Sequence, residues 1–227
     1  MRQLRRQDLV TKCIELGAPK ERVSEENILP FYTVNATTDL LSGFFARAVV
    51  LVEGPTEVLA LPYLLEKRGL QVDREGIAIL SVGGKGNLAK WYRLYTAYGI
   101  PCYIIFDNDS RRDSEGTNRK DALRSVGISE KEAEDLITAD DWIVAPRYTI
   151  FGRDFETTMR RYFKEYASLE KEAEQFGINS KQFTPRWVVQ RLEPESGDEG
   201  WSKIEAMVEY LRDLLGQNET GALEHDD

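Results

Sequence analysis

The sequence predicts an α/β fold: a parallel sheet flanked by helices, with an additional helical subdomain. Three observations carry that reading. Short apolar runs, Ala48–Val52 and Tyr103–Phe106 among them, recur between stretches of helical period, the pattern of strands buried on both faces of a parallel sheet. Those two runs end in carboxylates, Glu53-Gly-Pro-Thr-Glu57 and Asp107-Asn-Asp109. Beyond Pro146 the alternation gives way to helical periodicity alone.

The elements follow in order. A helix over about Gln3–Leu16 ends at the Gly17-Ala-Pro19 break, and Thr37 or Thr38 caps a short helix with Leu40, Leu41, Phe44 and Phe45 on one face. Ala48–Val52 is the first strand, and Pro55 sits at the first position of a helix running to Lys67. Ile77–Val82 is the second strand, closed by Gly83-Gly-Lys-Gly-Asn87 before a helix over Leu88–Tyr98. Pro101–Phe106 is the third strand. A helix near Arg119–Ser125 follows, then one capped by Ser129 with Glu132, then a fourth strand over Trp142–Ala145. Asp154 caps a long helix carrying Phe155, Met159, Tyr162, Phe163, Tyr166 and Leu169; Thr184-Pro185 starts a short one. Ser202 with Glu205 reads as a capping box for the last helix. The divisions are 1–45, a connecting helical segment; 46–150, the sheet-bearing catalytic domain; 151–216, the helical subdomain; and 217–227, a disordered tail.

Bulk properties narrow the chemistry. The single histidine, His225, lies near the C-terminus, which leaves carboxylates, lysines and metal to do any catalysis. Cys13 and Cys102 are far apart and in no CxxC motif, which fits a reducing, cytoplasmic setting without structural zinc. No apolar run approaches the roughly 20 residues of a membrane helix. A net charge of −9 argues against a charge-driven nucleic-acid coat, although carboxylates in a metal site are neutralised when ions bind.

Ligands of open α/β sheets bind beyond the carboxyl ends of the strands. Glu53 and Asp107 both stand there, Glu57 falls in the first turn of the next helix, and Asp109 shares a side with Asp107 if the chain stays extended. Four such acids repel one another unless cations sit among them, and hard oxygen ligands suit Mg²⁺ or Mn²⁺. Two ions held this way can activate a water and stabilise a leaving oxygen. Gly84 and Lys85, in a glycine-rich turn before a helix, and Ser110 are possible phosphate or DNA contacts.

Val52-Glu-Gly-Pro-Thr-Glu57, Ser81-Val-Gly-Gly84 and Phe106-Asp-Asn-Asp109 resemble the Toprim domain of topoisomerases, primases and related nucleases. The closer resemblance is to the C-terminal nuclease region of OLD (overcoming lysogenisation defect) family proteins, over about Ala46–Arg147. It implies a two-metal nuclease acting on DNA with Glu53, Glu57, Asp107 and Asp109 as ligands, joined by a further acid and a lysine from the helical part. Glu156 is matched to that acid. Lys203 is matched to the lysine because a cation in a first helical turn is unfavourable there and points to another use. Glu53 and Lys203 are the expected catalytic pair. The resemblance also implies an N-terminal ATPase domain and a helicase as partners; no G-x-x-x-x-G-K-[ST] loop occurs in this chain. The expectation is an excised nuclease region.

Two rivals stand beside this reading. One is a metal-dependent DNA-binding module that does not cut without its ATPase. The other is a haloacid-dehalogenase-like phosphatase built on Tyr103–Ser110, with Asp140-Asp141 as its later acidic pair. In that family, however, the nucleophile strand comes first.

Overall fold

The computed structural model describes residues 4–111, 113–194 and 199–221. Its centre is a five-stranded sheet of order β2-β1-β3-β5-β4, built from β1 (Ala48–Val52), β2 (Ile77–Ser81), β3 (Cys102–Asp107), β4 (Ile143–Ala145) and β5 (Tyr148–Phe151). All pairings are parallel except β4 with β5.

Alternation along each strand feeds two cores. Ala48, Val50, Val52, Tyr103, Ile105 and Phe151 face one layer. Its helices are α4 (Pro55–Glu66), α8 (Phe155–Tyr162), α10 (Phe183–Arg191) and α11 (Glu199–Gly221). Val49, Leu51, Ile104, Phe106 and Ile150 face the other, made by α1 (Arg6–Glu15), α5 (Lys85–Ala97), α6 (Thr117–Ser125) and α7 (Glu130–Leu136). The short helices α2 (Ile28–Asn35) and α3 (Thr38–Ser42) precede β1, and α9 (Tyr166–Gln175) lies between α8 and α10. β1 is buried at every position, which is why its sequence is apolar throughout rather than alternating. No helix among the described residues is long and apolar enough to cross a membrane.

Several elements differ from the sequence reading, each for a local reason. The segment 142–145 is not a fourth parallel strand. Ala145 pairs with Tyr148, so Pro146 and Arg147 form a two-residue turn, which joins only antiparallel strands. The fourth parallel strand is β5, inserted between β3 and β4. The long helix after Asp154 is two helices: Phe163 is extended (φ −127°, ψ 110°) and turns its ring onto Trp201 at 5.0 Å. Both Phe163 and Tyr166 thereby reach the core. α5 begins at Lys85, directly after Gly84. Thr37 does cap α3 through Leu40 N–H, but Leu41 and Phe45 are exposed rather than sharing Leu40's buried face. Ser202 and Glu205 lie inside α11, which has begun by Glu199, so they are not its capping box. That helix continues to Gly221, where the sequence reading has a disordered tail from 217; residues 222–227 lie outside the described residues.

The N-terminal segment packs Leu9, Val10 and Cys13 of α1 into the α5 side of the core. Arg93 of α5 anchors it there, donating to the Leu16 carbonyl at 3.0 Å and pairing with Asp121 at 2.7 Å.

Candidate active site

The sheet order creates the site before any side chain is considered. From β1 the chain crosses to β2 on one side, then to β3 on the other. The carboxyl ends of β1 and β3 therefore flank the switch point at which open α/β sheets bind ligands. Glu53 follows β1 and Asp107 ends β3.

A cleft of about 210 Å³ opens at this point, and its lining includes Glu53, Glu57, Asp107, Asp109, Asp154 and Glu156. Glu57 is held at the start of α4, where its Oε2 accepts the Gly54 N–H at 3.2 Å. Asp154 caps α8 by accepting the Thr157 N–H at 2.7 Å, which sets Glu156 in the first turn of that helix. The structure thus brings together the four strand-end acids and Glu156, and adds Asp154, which sequence reasoning assigned only a capping role.

Electrostatics record the crowding. Burial pushes the Glu57 carboxyl up to about 7, with Glu53 and Glu156 adding to the rise. Burial, then the charges of Glu57, Glu53, Glu156 and Asp154, hold the Asp107 carboxyl well above its usual range. Burial raises Glu53 against the pull of Lys85, and it raises Glu156 as well. Burial also works on Asp154, but hydrogen bonds from Thr157 and the charge of Arg111 leave its carboxyl below the ordinary value.

Three cations answer the acids. Lys85 is 6% exposed and turns inward, its Nζ donating to the Asp109 carbonyl at 2.7 Å and to the Asp109 carboxylate, with Glu53 Oε2 at 3.8 Å. Arg111 bridges Asp109 and Asp154, at 3.5 Å to each. Lys181, from the loop before α10, lines the cleft beside Gln182. The expected outward contacts are thus largely engaged. Gly84, whose φ of +120° only glycine adopts without strain, donates its N–H to the Glu53 carbonyl at 2.9 Å. Ser110 is exposed and lines a neighbouring hollow rather than this cleft.

Lys203 is not among the residues lining the cleft. The premise for choosing it also falls, since α11 has begun by Glu199 and Lys203 is not in its first turn. Lys181 has no motif around it; placing it required knowing that the loop before α10 folds back over the strand ends. Asp140 and Asp141 are exposed and pair with Arg161.

Does the set fit a metal ion? Its donors are hard oxygens, as Mg²⁺ and Mn²⁺ require, and Glu53 Oε2 and Asp107 Oδ1 are buried with no hydrogen-bond partner. Spacing tells a different story: among the described residues no three Asp, Glu, His or Cys side chains gather at distances that would hold an ion. Mutual repulsion favours such a stand-off. A buried carboxylate oxygen without a hydrogen bond is costly; Glu53 Oε2 has only the Lys85 ammonium at 3.8 Å to offset that cost, and Asp107 Oδ1 lacks even a hydrogen bond. The donor chemistry fits.

Comparison with known proteins places this geometry. Residues 44–109 match the family model of the overcoming lysogenization defect protein-like TOPRIM domain. The Old nuclease of Escherichia phage P2 is 34% identical over 109 residues, which is 48% of this chain and 17% of that protein. The chain therefore spans about a sixth of the length of this curated relative. The C-terminal region of the Xanthomonas campestris pv. campestris OLD protein superposes with a TM-score of 0.55 at 18% identity, covering 79% of this chain and 98% of that one. The corresponding region of the Burkholderia pseudomallei OLD protein gives 0.50 at 20% identity, covering 75% and 99%. At those identities the structures establish a shared fold. Residues 44–109 thus match an OLD-like Toprim family model, and the fold resembles that of the C-terminal region of OLD proteins.

Proposed function

We propose that this chain, built on an OLD-like Toprim domain, is a divalent-metal-dependent DNA nuclease that hydrolyses phosphodiester bonds. The observation that carries the reading is the buried Asp107 Oδ1, which has no hydrogen-bond partner, in a cleft of six carboxylates. Glu53, Glu57, Asp107, Asp109 and Glu156 would hold two ions, Mg²⁺ or Mn²⁺. When bound, such ions supply Lewis acidity to a water and to the phosphate oxygens. The chain's own groups do the rest. Glu53 orients the attacking water by accepting a proton or hydrogen bond from it. Lys181 steadies the charge that develops on the scissile phosphate, taking the part first given to Lys203. Arg119 fixes the β3 exit by donating to the Asn108 carbonyl at 2.8 Å and pairing with Asp113 at 3.1 Å, so that Asp107 and Asp109 keep their spacing. DNA is the substrate; an ATPase domain carried on another part of a longer protein, and a helicase, are the partners this reading admits.

The test is a titration of Mg²⁺, Mn²⁺ and Ca²⁺ against supercoiled and linear DNA. Mg²⁺ or Mn²⁺ should support cutting, and Glu53→Ala or Asp107→Ala should abolish it while circular dichroism stays unchanged. Undiminished cutting by either variant would overturn the assignment. The stand-off of the carboxylates favours a second reading, a metal-dependent DNA-binding module completed only by its ATPase. In that case the wild-type chain binds DNA in Mg²⁺ and leaves it intact.

A further inference from the structure

A second hollow, of about 290 Å³, lies where the N-terminal segment packs against α5, and it shares no lining residue with the acidic cleft. Its walls are largely apolar. Ala18 and Val23 come from the stretch between α1 and α2, and Ile28, Phe31 and Tyr32 from α2. The two rings are held in place. Phe31 meets Tyr32 edge-on at 5.1 Å, and both lie against the buried Trp91, at 6.5 and 5.4 Å. Tyr32 also donates its hydroxyl to the Lys90 carbonyl at 2.8 Å.

Charge distinguishes this hollow from the rest of the surface. Arg22, Lys90 and Arg93 line it and no carboxylate does, in a chain whose net charge is −9. Arg93, 4% exposed, is committed: Asp121 accepts its guanidinium at 2.7 and 3.1 Å, and the Leu16 carbonyl accepts it at 3.0 Å. Neither Arg22 nor Lys90 forms an ion pair among the described residues. The Lys90 ammonium lies 4.2 Å over the Phe31 ring. Burial draws it below its ordinary value, Asp121 opposes that, and Arg93 adds to it; positive charge here is under-compensated.

Two unpaired cations beside aromatic and aliphatic walls define their occupant. A neutral molecule leaves the cations unanswered, whereas an anionic head takes charge-assisted hydrogen bonds from both. A bare inorganic anion leaves the walls wet, whereas a flat apolar body buries against the rings. The volume stands at the low end for small-molecule sites, which excludes an extended cofactor.

We propose that this hollow binds a small organic anion, its planar apolar body against Phe31, Tyr32, Val23 and Ile28 and its carboxylate or phosphate held by Lys90 and Arg22. Lys90 and Arg93 belong to α5 and the other lining residues to the N-terminal segment, so the occupant bridges the two and holds the segment down. The proposal stands independently of the nuclease reading.

The experiment is isothermal titration calorimetry of the whole chain in EDTA, which keeps ions out of the acidic cleft. Benzoate and thymidine 5′-monophosphate are the probes, one for each kind of head group. At least one should bind, and its uncharged counterpart, benzyl alcohol or thymidine, and inorganic phosphate alone should each bind about tenfold more weakly or worse. Lys90→Gln/Arg22→Gln should weaken the anion about tenfold or more with melting temperature unchanged, and Lys90→Arg should keep it. The bound anion should also slow trypsin cleavage after the exposed Lys20 and Arg22. A wild-type chain that binds neither anion overturns the proposal, and is the result expected if a protein surface covers the hollow instead. Equal affinity in the wild type and Lys90→Gln/Arg22→Gln overturns it too. Plasmid cutting in Mg²⁺, scored separately, reports on the nuclease reading alone.

Discussion

Replacing Glu57 with glutamine should stabilise the metal-free protein at neutral to alkaline pH, and the structure sets the scale. Glu57 is 4% exposed, so its charge is poorly screened. Burial and its acidic neighbours lift its carboxyl from an ordinary 4.5 to about 7. At about 1.4 kcal/mol per pH unit, ionising it in the folded protein costs on the order of 3 kcal/mol. The folded pKa lies above the unfolded one, so the folded state binds more protons between the two values. The stability from that difference is fully present below about 4.5, is lost as pH rises toward about 7, and stays lost above. Glutamine keeps an oxygen to accept the Gly54 N–H and removes the charge. It gives up the favourable placement of an anion at a helix N-terminus, roughly 0.3–1 kcal/mol, which leaves a net gain of about 2 kcal/mol. For a chain of this size that raises the melting temperature by roughly 4–8 °C. The assay is thermal melting of both proteins in EDTA at pH 5 and pH 8. The gain should appear at pH 8 and shrink at pH 5, and added Mg²⁺ should stabilise the wild type more than the variant. A variant that melts lower than wild type at pH 8 in EDTA refutes the reasoning, because the carboxylate would then stabilise the fold as an anion.

Two further outcomes are expected. Lys181→Ala should slow cleavage 10²–10³-fold, the usual cost of losing one donor aimed at developing charge, with KM for DNA little changed; Lys203→Ala should stay near the wild-type rate. Steady-state kinetics on one linear substrate decides between them, and the reverse ranking would return the role to Lys203. Arg119→Met leaves the buried Asp113 carboxylate unpaired, both side chains being about 5% exposed or less. It should cost roughly 3–5 kcal/mol in urea unfolding, and no loss would mean that the pair does not hold the β3 exit.

The fold was legible wherever a segment had one dominant local signal. β1 is apolar at every position and is followed by Glu53, β3 is an apolar run closed by Asp107, and α4 starts on a proline at its first position. Reading failed where two signals overlapped. Tyr148–Phe151 is a run of four buried residues that begins one residue beyond Pro146, and the proline reads locally as the end of the sheet when it marks the turn of a hairpin. The helical period runs unbroken through Phe155, Met159, Tyr162, Phe163 and Tyr166, because the residues on either side of the break pack into the same core. Periodicity records which face is buried and is silent about a kink that preserves that face.

The site divides along a different line. Five of the six acids that line the cleft, all but Asp154, were readable because each is tied to a strand or helix end that the sequence announces, and a short side chain goes where its backbone goes. Its cations were not, because a lysine ammonium stands several bonds from its Cα and settles wherever negative charge is least balanced. Lys85 in a glycine-rich turn resembles a phosphate contact when read locally; in the folded chain its ammonium belongs to Asp109 and Glu53, since a lysine 6% exposed must be paired. Lys181 reaches the same acids from a loop more than seventy residues further along the chain. The acidic site is therefore incomplete in any single stretch of sequence. Removing a carboxylate, as in Glu57→Gln, and adding a divalent ion should relieve the same excess of negative charge, and that equivalence makes melting in EDTA and in Mg²⁺ a direct measure of it.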